Sequence, residues 1–143
     1  MKYNIPELRF TLINELSCLK TVTHAVKSLN DRWNIPESQI INLRLAIEEA
    51  LVNVISYAYP PGETGEIELS MMKIDGSIVI DISDQGVAFD PTQVADVDIS
   101  ASAEERGIGG LGIHMLKILM DEVIYTRQGE FNRLTLKKKI EWK

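Results

Sequence analysis

IINLRLAIEEALVNVISY, residues 40–57, contains neither glycine nor proline, and its apolar side chains cover much of its girth. Ile40, Leu43, Ala46, Ile47, Ala50, Leu51, Val54 and Ile55 recur at helical spacing and spread beyond a single stripe, which predicts a largely buried helix. Ile35-Pro36-Glu37-Ser38 leads into it, with the proline entering the first turn, where its missing N–H is no loss. Tyr59-Pro60-Pro61-Gly62-Glu63-Thr64-Gly65 closes it in a turn.

Upstream, Leu8, Phe10 and Leu12 alternate with Arg9, Thr11 and Ile13, an opening strand with one face inward. Leu16, Leu19, Val22, Val26 and Leu29 then step by three and four, predicting an amphipathic helix that ends near residues 30–33. Downstream, residues 66–73 and 77–83 form two strands around the turn Ile74-Asp75-Gly76. Residues 84–106 hold little periodicity. Structureless stretches longer than about 12–15 residues are uncommon and often act as lids, so residues 91–106 are read as a lid loop. Residues 111–120 form a short helix, and residues 122–127 and 133–140 are strands around Gly129. The order β-α-α-β-β-loop-α-β-β predicts an α+β fold, a two-layer sandwich with helices on one face of a mostly antiparallel, mixed sheet. No repeat or linker divides the chain, so residues 1–143 are expected to form one domain.

Composition narrows the function. A hydrophobic fraction of 45% and a charged fraction of 25% in 143 residues fit a globular chain with a real core. The formal net charge of −6 disfavours a role that depends on neutralising nucleic-acid phosphates. The cluster Lys137-Lys138-Lys139 reads as edge protection on a terminal strand. Cys18 stands alone, and nothing has zinc-ligand spacing, which points to a reducing compartment. With no signal-peptide core and no apolar run of membrane length, the expected location is the cytoplasm, with no membrane partner.

Three short blocks carry chemistry. In Glu48-Glu49-Ala50-Leu51-Val52-Asn53, Glu49 and Asn53 are four apart and stack on one side of the oily helix, with Tyr57 a further turn along. A buried carboxylate or amide needs a partner, although either glutamate turned to water would leave the same sequence. Asp84-Gln85-Gly86 follows a strand. An acceptor there, beside a glycine that permits close backbone approach, suits recognition of a base's exocyclic amine, and an ordinary Asp-x-Gly turn has the same spelling. Gly107-Ile108-Gly109-Gly110-Leu111-Gly112-Ile113 places four glycines before a helix, where bare N–H groups can wrap an anion at the helix's positive end, or where the chain simply connects two elements. A P-loop is excluded because no Gly-x-x-x-x-Gly-Lys-Ser/Thr occurs, and the glycine run follows a long loop, unlike a Rossmann turn.

Taken together and in this order, over roughly residues 43–136, the blocks resemble the Bergerat-type ATPase fold shared by histidine kinases and type II topoisomerases. More narrowly, Glu49-Ala50-Leu51-Val52-Asn53, Asp84-Gln85-Gly86 with Phe89-Asp90, Gly109-Gly110-Leu111-Gly112 and Met120-Asp121-Glu122-Val123 resemble the anti-sigma serine/threonine kinases of bacterial stress and sporulation switches. The resemblance implies that Asn53 ligates Mg²⁺ and Glu49 is the general base for an attacking serine hydroxyl. It also implies that Asp84 and Gly86 receive adenine, while Gly107, Gly109, Gly110, Leu111 and Gly112 offer N–H groups to the phosphates of ATP, helped by Arg106. Tyr57 departs from the histidine of many relatives, and Phe131-Asn132-Arg133 replaces the Gly-Thr common in the wider superfamily.

The implied activity is ATP-dependent phosphorylation of a serine on an anti-anti-sigma (STAS-type) antagonist. The implied partners are that antagonist, a sigma factor and a second copy of the chain, with no direct contact to nucleic acid. The alternative is a nucleotide-gated protein-binding switch with little or no catalysis, in which ATP orders residues 91–106. His24 and His114 are assigned no phosphoacceptor role.

Overall fold

A computed structural model describes residues 7–88, 90 and 110–141. Strand β1 (Glu7–Ile13) is followed by a single 3-10 turn, helices α1 (Leu19–Lys27), α2 (Leu29–Trp33) and α3 (Glu37–Tyr57), and the hairpin β2 (Glu66–Ile74) and β3 (Ser77–Asp84). Helix α4 (Gly110–Leu119) precedes a second hairpin, β4 (Glu122–Gln128) and β5 (Phe131–Lys139). Among the described residues no helix is long and apolar enough to cross a membrane.

The helix expected from Leu16 to Trp33 is interrupted at Ser28, whose hydroxyl donates to the Ala25 carbonyl at 2.6 Å and so competes with the helical ladder. Asn34 then takes the left-handed conformation (φ 56°) and stops α2. Asn30 Nδ2 caps the exit by donating to the Ile35 carbonyl at 2.8 Å. This folds Ile35, which reads as loop, into the core with no exposed surface.

The five strands lie in the order β1-β2-β3-β5-β4. All four neighbouring pairs are antiparallel, so the sheet is antiparallel throughout the described strands. The β2–β3 hairpin turns at Asp75 (φ 46°) and Gly76 (φ 79°), the two positive φ angles that a tight two-residue connection requires. Between β3 and β4 the chain passes the position of β5, which returns to pair with β3. This crossover brings the end of β3 beside the start of β5, with Asp84 opposite Asn132.

Alternation divides the sheet. Ile67, Leu69, Met71, Ile78, Ile80, Ile82, Leu134 and Leu136 are buried with Leu43, Ala46, Ile47, Ala50 and Leu51 of α3, Val22 and Val26 of α1, and Leu116 of α4. Each such aliphatic side chain contributes about 1.5–3 kcal/mol when fully buried. Helix α3 packs against α1, α2 and α4, which explains why apolar residues surround so much of it. The other face of the sheet is polar: Asp81 accepts from Arg133 Nη2 at 2.9 Å and from Thr135 Oγ1 at 2.6 Å, and Thr11 donates to Glu68 at 3.0 Å. Helices therefore cover one face, as expected.

Candidate functional site

The site is built where α3 and β3 both end. Asp84 is the last residue of β3 and is 5% exposed. Its Oδ1 accepts the Gly86 N–H at 2.8 Å, which curls the chain into an Asx turn. The next N–H, from Val87, donates to the Ala58 carbonyl at the end of α3, also at 2.8 Å. A Cβ added at Gly86 would lie 2.0 Å from that carbonyl oxygen. The glycine is thus required for seating the turn on the helix, a reason different from the ligand approach read in the sequence. Tyr59 secures the turn from the other side, donating to the Glu66 carbonyl at 2.6 Å and accepting the Gln85 N–H at 3.0 Å. Burial pushes the Tyr59 phenol above its ordinary range against the pull of the Gln85 N–H, and Asp84 and Glu66 add to the rise, so the hydroxyl keeps its proton to donate.

Asn132, 6% exposed, connects this turn to the last hairpin. Its Nδ2 donates to Asp84 Oδ1 at 2.9 Å and to the Val87 carbonyl at 2.8 Å. Its Oδ1 accepts from the Tyr125 hydroxyl at 2.5 Å and from Arg127 Nη1 at 3.1 Å. Arg127 also reaches the Gly86 carbonyl at 2.9 Å. Every polar atom of the buried amide is satisfied, as a group in such a place must be.

These residues wall a small pocket that opens to solvent. Ala50, Val54, Ile82 and Leu134 make its apolar surfaces, and Asn53, Tyr57, Asp84, Tyr125 and Asn132 supply the polar groups. Mostly apolar walls with a few placed polar groups are the usual make-up of a small-molecule site.

One turn before Asn53 on α3 stand two glutamates in different settings. Glu48 accepts from Thr23 Oγ1 at 2.9 Å, and Arg44 Nε lies 3.8 Å away, so this carboxylate ties α3 to α1. Glu49 is half-buried and makes no hydrogen bond or ion pair among the described residues. Asn53 lines the pocket, is 7% exposed, and likewise has no side-chain hydrogen bond among the described residues. Of the two glutamates left open by the sequence, Glu48 is tied to Thr23 of α1, whereas Glu49, like Asn53, has no partner among the described residues.

Of the remaining expected residues, Arg106, Gly107, Gly109 and the proposed lid at 91–106 lie outside the described residues. Gly110, Leu111 and Gly112 form the first turn of α4, which packs on α3. Among the described residues no group of three or more His, Cys, Asp or Glu side chains gathers in one place. Tyr125, Arg127 and Asn132 are the site residues that the sequence reading did not assign. With the last strand started at Arg133, Asn132 fell outside it. Extending the alternation of Leu134 and Leu136 back by two would have placed an amide on the inward face.

A sheet covered on one side by helices, with a pocket set between the central helix and the strand ends, is a two-layer α+β architecture. The family model for the histidine kinase-like ATPase domain matches residues 13–138. A serine/threonine-protein kinase, BtrW, of Bordetella bronchiseptica is 31% identical over 130 residues, covering 91% of this chain and 89% of the relative. The serine-protein kinase RsbW of Listeria monocytogenes is 32% identical over 110 residues, covering 73% of this chain and 70% of that protein. Among solved structures, the RsbU and RsbW domains of a Mycobacterium tuberculosis protein superpose with a TM-score of 0.68 at 18% identity, over 94% of this chain and 32% of that longer one. The SiaB–SiaC complex of Pseudomonas aeruginosa gives 0.65 at 19% identity, over 93% of this chain and 89% of the matched one. The chain belongs to the histidine kinase-like ATPase domain family, in its branch of anti-sigma serine/threonine kinases.

Proposed function

We propose that this protein binds Mg-ATP in the α3–β3 pocket and phosphorylates a serine of an anti-anti-sigma, STAS-type antagonist, and that it also holds a sigma factor, as a homodimer in the cytoplasm. The observation that carries the reading is the pair Glu49 and Asn53, one turn apart on α3 and without partners among the described residues, beside a pocket whose opposite wall presents Asp84. The names of the kinase relatives support the reaction class, and the fold shared with a protein solved in a complex supports a protein partner.

The residues fit the nucleotide. Asp84 Oδ2 accepts no hydrogen bond among the described residues and is suited to an exocyclic amine. Ala50, Val54 and Leu134 offer apolar surface to a ring. Asn53 would offer its side-chain oxygen to the divalent cation that accompanies the nucleotide. Bound Mg-ATP supplies the phosphoryl group and the neutralisation of its charge. Glu49 accepts the proton of the serine hydroxyl as the new Oγ–P bond forms and the bond to the ADP oxygen breaks. On the family resemblance, backbone N–H groups of Gly107, Gly109, Gly110, Leu111 and Gly112, with Arg106, would hold the phosphates.

The test mixes purified protein, Mg-ATP and a candidate antagonist, and follows phosphoserine. Glu49→Gln should lower the transfer rate by about 10²–10⁴, the range for general-base catalysis, with nucleotide affinity nearly unchanged. Full transfer by that variant would remove Glu49 from the mechanism. Nucleotide binding by the wild type without transfer to any antagonist would instead favour a switch that only binds.

A further inference from the structure

We propose that Asn132 is a positioning residue that sets the base selectivity of the pocket by acting through Asp84. The inference rests on the ATP reading above and deepens it. Asp84 and Asn132 are register partners on adjacent strands, both on the helix-covered face. The Asn132 amide cannot be turned over, because its Oδ1 faces Arg127, a group that only donates. Its Nδ2 must therefore be the atom 2.9 Å from Asp84 Oδ1. Together with the Gly86 N–H at 2.8 Å, it occupies that oxygen.

One carboxylate oxygen is thus committed to the protein and the other is left as a fixed acceptor at the pocket wall. A fixed acceptor attracts a purine carrying an exocyclic amine and repels one carrying a carbonyl at the same position. Without Asn132 the Gly86 N–H alone holds Oδ1, so the carboxylate has more freedom to rotate and to turn its open acceptor away from the ligand. Tyr125 and Arg127 hold Asn132 in turn, so selectivity for the base is built from the last hairpin, remote in sequence from Asp84.

The experiment is calorimetric titration with Mg-ATP, Mg-GTP and the triphosphate of purine riboside, which lacks the exocyclic amine. It uses wild type, Asn132→Ala and Tyr125→Phe, each checked for cooperative melting. Wild type should prefer ATP over the amine-free analogue by about tenfold, as one hydrogen bond to a charged group allows. Asn132→Ala should lose about tenfold in ATP affinity while keeping its affinity for the analogue within about twofold, so that the preference collapses. Equal losses for both ligands, or unchanged ATP affinity, would overturn the proposal. If Asn132→Ala does not fold, Tyr125→Phe decides by the same ratio, with a preference reduced about threefold expected and an unchanged preference overturning the idea. Wild type binding ATP with no preference over the analogue overturns the role of Asn132 alone, whereas wild type binding none of the three overturns the nucleotide reading as well.

Discussion

At Asp81, on the polar face of the sheet, burial alone would raise the carboxyl's pKa, but hydrogen bonds from Arg133 and Thr135 and the Arg133 charge outweigh it and hold the group below the usual carboxylate range. A depressed folded pKa means that the contribution is complete above the unfolded value, about 3.9, and is lost as pH falls through the lower folded value. Half of the Arg133 side chain is exposed, so the charge-assisted bonds are discounted to about 1 kcal/mol. Asp81→Asn should therefore lower the melting temperature by about 2–4 °C at pH 7. The gap should begin to narrow below about pH 4 and close as pH falls through the lower folded value, where the wild-type carboxyl takes up its own proton. A gap that is the same at pH 3 and pH 7 would assign the effect to packing. The glutamates of α3 show the same rule, that surroundings decide a side chain's work: Glu48 has Thr23 as a partner, and its neighbour has none among the described residues.

Between elements, the turn of β3 on the end of α3 is a contact sensitive to substitution. Gly86→Ala would place its methyl 2.0 Å from the Ala58 carbonyl oxygen, which belongs to backbone and cannot swing aside. A loss of about 1–3 kcal/mol in urea unfolding is expected, as for an overpacked site, together with weaker nucleotide binding. Gly129→Ala is the control: its Cβ would meet nothing within 4 Å, so the cost there is only that of φ +59°, about 1 kcal/mol. If Gly86→Ala proves as mild as Gly129→Ala, the two elements are not seated as described. Elements were largely legible in the sequence because periods of 2 and 3.6 survive in one-dimensional text, as in Ile78-Val79-Ile80 and in α3. The break at Ser28 was not, since a hydroxyl that bonds the carbonyl three residues back leaves the apolar spacing intact. Nor was the pairing of β3 with β5, a contact across 48 residues between Asp84 and Asn132. Glu49, Asn53 and Asp84 were singled out by local spacing joined to the resemblance, and Asn132 was not assigned because its bond to Asp84 exists only after that pairing.

For the molecule as a whole, the three helices that touch α3 make its middle the common core. Leu51 has no exposed surface and lies in the same cluster as Ile67, Leu69 and Val22. Leu51→Ala should cost about 2–5 kcal/mol of global stability, a cavity effect, measured by denaturant unfolding. Because Ala50 and Asn53 flank it, nucleotide affinity should fall in the same variant; an effect on stability without one on affinity would mean that the pocket is insulated from the core. The bond from the Val87 N–H to the Ala58 carbonyl has a kinetic consequence. It fastens the turn after β3 to the end of α3, so part of the entropy of arranging that wall is lost when the chain folds, before any guest arrives. On the nucleotide reading proposed above, a base entering at that end would not have to wait for this turn to order, and Gly86→Ala should slow association as well as weaken binding.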